Sequence, residues 1–323
     1  MKDEVSSSIL DNGSNRRRNL ERGRFFMDIQ ILTRKFCDHS TFIRGYSKDT
    51  IKRYKQVIRS FSEDSQISEI EEVTDDKVRD YFYKGRTIKK WSANSFITYH
   101  KSLVVFFRWC VQEKLMAVNP AEDLELPKLE KRLPPKLSKQ EVMRILEVVY
   151  NYPYKYKFLR YRNYAIFSTF ILAGLRKSEL LRLKLTDVDL ENLSIYVRQG
   201  KGNKDRIVPI CYKLADALKK YLIERNRLKK TCPEFFTSLN HNMGFTDNGL
   251  KHLMVEVVKA YGKHFSVHKL RHTFATLMIE GGCDVYSLSK MMGHSDIKTT
   301  TIYLAATAEH LRSQISKHPL NDL

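Results

Sequence analysis

The chain has 323 residues, 42% of them hydrophobic, enough for two globular domains with separate cores. It contains no apolar run long enough to span a bilayer and no signal-peptide core, and its five scattered cysteines (Cys37, Cys110, Cys211, Cys232, Cys283) fit reduced thiols in a cytoplasm rather than a disulfide framework. A formal net charge of +20 points to a polyanionic partner, and residues 128–323 hold 34 basic against 18 acidic residues, so most of the excess falls in the later part.

Residues 1–24, rich in Ser, Asn and Arg, lack apolar periodicity and read as a disordered basic tail. From residue 25 to about 126 helical patterns follow one another. Ser47 caps a helix in which Ile51, Tyr54, Ile58 and Phe61 form an apolar stripe, while Lys48, Lys52, Lys55 and Arg59 recur on another face. A basic helix face is commonly just solvated. Here the acids collect between Glu63 and Asp76 and the bases resume from Lys77 to Lys89 and Lys90, so this near-neutral domain could present one positive surface to a polyanion, which charge alone does not resolve into a duplex or an acidic membrane surface. A long helix from Ser92 to Leu115 carries Phe96, Tyr99, Leu103, Phe106, Phe107 and Cys110, which read as core. Pro120, Pro127, Pro134 and Pro135 then punctuate the chain, making 127–137 an extended linker.

Residues 138–323 read as a second domain. Helices near 138–152 and 160–173 lead to Gly174, which can end one helix before Lys177–Leu183 begins another. Arg176 lies at that junction with Glu179 within reach of its guanidinium. Three short strands follow at Asp187–Asp189, Ser194–Arg198 and Arg206–Ile210, the last two joined by a glycine-rich turn that carries Lys201 and Lys204. The remainder is helical at about 212–230, 246–261, 267–280, 284–292 and 296–309.

The stretch from Ser266 to Phe274 concentrates chemistry. Ser266 is a good N-cap, so His268 and Arg271, three residues apart, share a face near the positive end of a helix where an anion is welcome. His264, His268 and His272 are spaced by four, as a zinc face would require. The cap excludes His264 from the helix, however, and no carboxylate or cysteine stands at ligand spacing, so no metal site is expected.

Ala173–Leu180, Gly200–Pro209, His268–Arg271, Gly293-His294-Ser295 and Tyr303, nine residues after His294, occur in that order. Together they resemble the active-site boxes of the tyrosine recombinase (phage integrase) family, its Xer-type members most closely, and the resemblance covers about residues 25–315. It implies a mainly α fold with an α+β catalytic domain: an N-terminal SAM-like core-binding bundle, then a helical catalytic domain with a small three-stranded antiparallel sheet, the two clamping DNA. It implies site-specific recombination, with Tyr303 the nucleophile of a 3′-phosphotyrosyl intermediate and Arg176 and Arg271 on the non-bridging oxygens. Lys201 would protonate the departing 5′ oxygen, His268 would assist proton transfer at the nucleophile, and His294 would hydrogen-bond the phosphate. A covalent phosphotyrosine keeps the bond energy, so neither metal nor cofactor is expected. The implied partner is double-stranded DNA with an inverted-repeat core site, bound by a tetramer, with room for a second recombinase or an activating protein and none for a membrane. Chromosome dimer resolution and mobile-element integration stay open. So do a type IB topoisomerase-like activity and a non-catalytic sequence-specific DNA-binding protein.

Overall fold

A computed structural model describes residues 27–129, 136–198, 205–294 and 296–304. The expectations for the tail 1–24, for Lys201 and Lys204, for most of the proline-rich linker and for helix beyond residue 304 lie outside the described residues. The chain divides into two compact units, between residues 131 and 132.

In the first unit four helices form a bundle: α1 (Ile29–Phe42), α2 (Lys48–Asp64), α3 (Asp75–Thr87) and α4 (Ala93–Gln112), with a 3-10 turn at Ile70–Glu72. Each helix starts on a side-chain oxygen that takes orphan backbone N–H groups, from Asp28, Ser47, Thr74 and Ser92 respectively. The α4 aromatics are core as expected: Phe96, Phe106 and Phe107 are buried, and Phe106 meets Phe36 of α1 edge-on at 5.4 Å. On α2 the apolar stripe is buried at Tyr54, Ile58 and Phe61, while Lys48, Lys52, Lys55 and Arg59 stand in solvent. The acidic segment is less segregated than the sequence suggests, because Arg59 pairs with Glu63 at 2.7 Å and Lys89 with Asp64. Lys90 is exposed, with a left-handed backbone at φ 54°.

The second unit is built on α6 (Lys157–Leu172), buried on almost every side through Phe158, Ile166, Phe167, Phe170 and Ile171. Around it pack α5 (Lys139–Asn151), α8 (Tyr212–Arg227) and α10 (Val267–Glu280). The short helix α7 (Lys177–Arg182) leads into an antiparallel sheet of β1 (Val188–Asp189), β2 (Ser194–Val197) and β3 (Arg206–Pro209), in that order, with Ile195 opposite both Val188 and Val208. The helices α9 (Asp247–Tyr261), α11 (Val285–Met292) and α12 (Lys298–Leu304) complete the described chain.

Four boundaries differ from expectation by about a turn or in type, the first at α4, which stops at Gln112, not Leu115, where Lys114 turns into the left-handed region at φ 58°. Asp187 belongs to a 3-10 turn, not a strand, because its carboxylate caps the Lys184 amide at 2.9 Å and pairs with Arg198. Helix α6 starts at Lys157, about a turn before the expected 160. Helix α8 stops at Arg227, not 230, where the buried Arg225 donates to the carbonyls of Lys230 and Cys232 and ties the next segment back onto the helix.

Candidate active site

The site grows from two helix ends and two glycines. Gly174 follows α6 with φ +59°, and a Cβ there would lie 2.2 Å from the Phe274 ring, so only glycine makes this turn without displacing α10 side chains. The turn brings Arg176 to the N-cap of α7. One turn on, Glu179 accepts the Arg176 amide at 2.8 Å and its guanidinium at 2.7 Å. Arg206 at the start of β3 reaches the same carboxylate with two more bonds, at 2.9 and 2.8 Å. Burial pushes the Glu179 carboxyl up, but the hydrogen bonds and charge of Arg206, joined by those of Arg176, outweigh it and hold the pKa at about 2.

Helix α11 supplies the opposite wall. Gly293 ends it in the left-handed region at φ 64°, and the final carbonyls face the site. Three successive carbonyls each accept a guanidinium: Met291 takes Arg206 at 2.7 Å, Met292 takes Arg271 at 2.6 Å and Gly293 takes Arg176 at 2.6 Å. The negative end of a helix whose last carbonyls lack helical partners is a natural anchor for cations. Arg271 also donates to the Gly174 carbonyl, which locks α10 to the end of α6. Burial, helped by the neighbouring Arg176, lowers the Arg271 pKa to about 10, still charged at neutral pH.

His294 comes directly after that helix end. A guanidinium can only donate, so the 3.4 Å approach of Arg271 to Nε2 makes that nitrogen the acceptor; Nδ1 then carries the proton and donates to the buried Thr300 hydroxyl at 2.7 Å. Burial, then the charges of Arg271 and Arg176, bring the His294 pKa down to about 4.

Tyr303 lies on α12 and is buried, packed with Phe274, Ile279, Leu288 and Met292. Its hydroxyl lies 2.6 Å from Nδ1 of His272, and the two rings are 5.7 Å apart. Burial raises the Tyr303 pKa against an opposing pull from Arg271, and burial lowers that of His272, with help from His268 and Arg271.

Arg176, Glu179, Arg271 and His294 are thus brought into one bonded cluster, and Tyr303 joins α10 through His272. His268 is exposed on the first turn of α10, where Ser266 caps the helix as expected by accepting from the Lys269 amide at 3.2 Å. The histidine in contact with the phenol is His272, one turn further along.

Two participants carry no such role in the sequence reading. Arg206 was legible: on β3 it alternates with the exposed Ile207 and shares a face with the buried Val208, and an inward arginine demands a carboxylate. His272 entered only as part of a zinc spacing; its contact depends on how α12 folds back, which no local pattern gives.

A family model described as "Phage integrase family" matches residues 135–310, and one described as "Phage integrase, N-terminal SAM-like domain" matches residues 32–117. The sequence is 31% identical over 300 residues to tyrosine recombinase XerC of Thermodesulfovibrio yellowstonii, spanning 90% of this chain and 97% of that one. It is 33% identical over 284 residues to tyrosine recombinase XerA of Pyrococcus horikoshii, spanning 86% and 90%. Among solved structures, the XerH site-specific recombinase bound to palindromic difH substrate, in a post-cleavage complex, shares the fold with a TM-score of 0.68 at 21% identity, over 88% of this chain and 83% of that one.

Proposed function

The chain belongs to the phage integrase family and is a tyrosine site-specific recombinase acting on DNA, and from that premise we propose that Tyr303 is its nucleophile and the arginine cluster its phosphate cradle. The observation that carries the proposal is a charge imbalance. Arg176, Arg206 and Arg271 converge on the end of α11, where Glu179 accepts from Arg176 and Arg206; three guanidiniums around this carboxylate, among the described residues, favour a phosphodiester.

The Tyr303 hydroxyl attacks phosphorus and the 5′ oxygen departs, leaving a 3′-phosphotyrosyl bond that stores the energy for rejoining. Arg176 and Arg271 bind the non-bridging oxygens and stabilise the charge of the pentacoordinate transition state; their guanidiniums are already fixed by backbone carbonyls, so little reorganisation is needed. Lys201 delivers the proton to the 5′ oxygen. His268 contributes from the exposed first turn of α10, where the helix dipole favours an anion. His294 completes the phosphate contacts, because a bound phosphate raises the imidazole pKa and gives Nε2 a proton to donate. Glu179 and Arg206 hold Arg176 in register.

In this reading residues 25–126 form the core-binding domain, 127–137 the linker and 138–323 the catalytic domain. Lys48, Lys52 and Lys55, with Arg59, Lys89, Lys90 and Lys204, contact the DNA backbone. Recombination takes place in the cytoplasm on an inverted-repeat core site within a tetramer, alone or with a second recombinase or an activating protein. The test is strand exchange between two duplexes of different length, each carrying the site and one strand labelled. Hybrid-length products support the proposal. Resealing of each strand to itself, as a type IB topoisomerase performs, contradicts it.

A further inference from the structure

The 2.6 Å contact between Nδ1 of His272 and the Tyr303 hydroxyl joins a side chain outside the six expected catalytic positions to the atom that attacks phosphorus. We propose that His272 is a catalytic residue, the acceptor of the Tyr303 proton during strand cleavage and its donor during rejoining. The inference deepens the proposed function and rests on Tyr303 being the nucleophile.

The protonation states suit the transfer. Burial holds the phenol above its ordinary pKa, so Tyr303 carries its proton until attack. Burial, then His268 and Arg271 on its own helix, favour the neutral imidazole of His272; the groups beyond are the Tyr303 phenol and His294, itself lowered to about 4. A protonated phenol beside a neutral imidazole donates to Nδ1, the direction in which the proton must move. As the Tyr303 oxygen bonds to phosphorus, its O–H bond breaks and the proton passes to Nδ1; the phosphorus–O5′ bond breaks, and the 5′ oxygen takes its proton from a separate donor. On rejoining, the 5′ hydroxyl attacks and gives its proton back to the group that supplied it during cleavage, Lys201 in the proposed function, while the imidazolium returns a proton to the departing phenolate. Charge and protons balance without a further reactant.

Position favours His272 over His268. His268 is exposed, whereas His272 is half-buried beside the phenol, and its backbone carbonyl accepts the Thr276 hydroxyl at 2.9 Å within a helix already fixed by Arg271. A general base within hydrogen-bond reach of the proton it removes contributes about 10²–10⁴-fold to rate.

The experiment is single-turnover adduct formation on a nicked suicide duplex across a range of pH, for wild type, His272→Ala, His272→Gln and His268→Gln. Duplex binding and circular dichroism verify folding, and His272→Gln keeps most of the volume and a polar partner where alanine fails to fold. Both His272 variants are expected to bind DNA as wild type does and to form adduct about 10²–10⁴-fold more slowly. Wild type is expected to lose rate as the pH falls below 6.5 and His272 gains its proton, and that acid limb should vanish in both His272 variants. Added imidazole should restore part of the His272→Ala rate. A bridging 5′-phosphorothiolate, whose leaving group needs no proton, should rescue Lys201→Ala but neither His272 variant.

Adduct formation by His272→Gln at the wild-type rate or faster overturns the proposal and makes the contact a resting latch on the nucleophile. Disappearance of the acid limb in His268→Gln alone also overturns it, in favour of His268. If wild type itself forms no adduct at Tyr303, the reading of the nucleophile fails, an outcome distinct from failure of His272.

Discussion

Replacing Glu179 with glutamine removes the carboxylate shared by Arg176 and Arg206 while conserving shape. The carboxyl is held at about 2 instead of its ordinary 4.5, with a side chain only 3% exposed. That difference corresponds to about 3 kcal/mol of folding stability at pH 7, and removing one partner of a buried ion pair costs about 3–5 kcal/mol in general, so the two estimates agree. The folded pKa is depressed, so the contribution is complete above pH 4.5 and is lost as pH falls toward 2. Linkage gives a remaining advantage of about 1.5 kcal/mol at pH 3. Both tryptophans, Trp91 and Trp109, belong to the first unit, so their fluorescence does not follow this site and far-ultraviolet circular dichroism is the better probe of urea unfolding. Glu179→Gln should unfold about 3 kcal/mol more easily at pH 7, with the gap roughly halved at pH 3. A gap below about 1 kcal/mol at pH 7, or one that stays constant with pH, would refute the assignment of Glu179 as the ionised hub of the cluster.

Gly174→Ala should cost on the order of 3 kcal/mol, from a non-glycine residue at φ +59° and a Cβ 2.2 Å from Phe274, and should abolish cleavage by moving the carbonyl that fixes Arg271; thermal unfolding and adduct yield check both. His294→Asn should flatten the pH dependence of stability between pH 6.5 and 4, because a depressed histidine contributes above 6.5 and loses that contribution as it gains a proton. The half-exposed ring limits the effect to about 1–2 kcal/mol, read as the change in melting temperature between pH 7 and pH 4, with His272 adding in the same direction. Replacing Lys48, Lys52 and Lys55 together with glutamine should weaken binding to all duplexes alike and make the plot of log affinity against log salt shallower by roughly 0.9 for each phosphate no longer neutralised, measured by fluorescence anisotropy.

Much of this fold is written locally. The caps at Ser47, Ser92 and Ser266, the glycines that end α6 and α11, and the alternation along β2 and β3 each act within a few residues, so their elements were legible without any tertiary information. The cluster was legible as a set of residue types but not as a geometry. That three guanidiniums seat on three consecutive carbonyls depends on α11 reaching back across the end of α6, and the contact of His272 with Tyr303 depends on the return of α12. Such contacts span 21 to 117 residues of sequence. The ion pairs of Arg59 and Lys89 show the reverse: charge counting along the chain overstated the separation of bases from acids, because long side chains reach across helix faces.

The most direct test of the central claim is incubation of wild type and Tyr303→Phe with nicked suicide duplexes carrying inverted-repeat core sites, in the presence of a chelator, followed by denaturing electrophoresis and peptide mapping. Nucleophilic attack by Tyr303 without a metal predicts a covalent protein–DNA adduct mapped to Tyr303 in wild type, and tight duplex binding with no adduct in Tyr303→Phe. An adduct that persists in Tyr303→Phe, or maps to another residue, contradicts it.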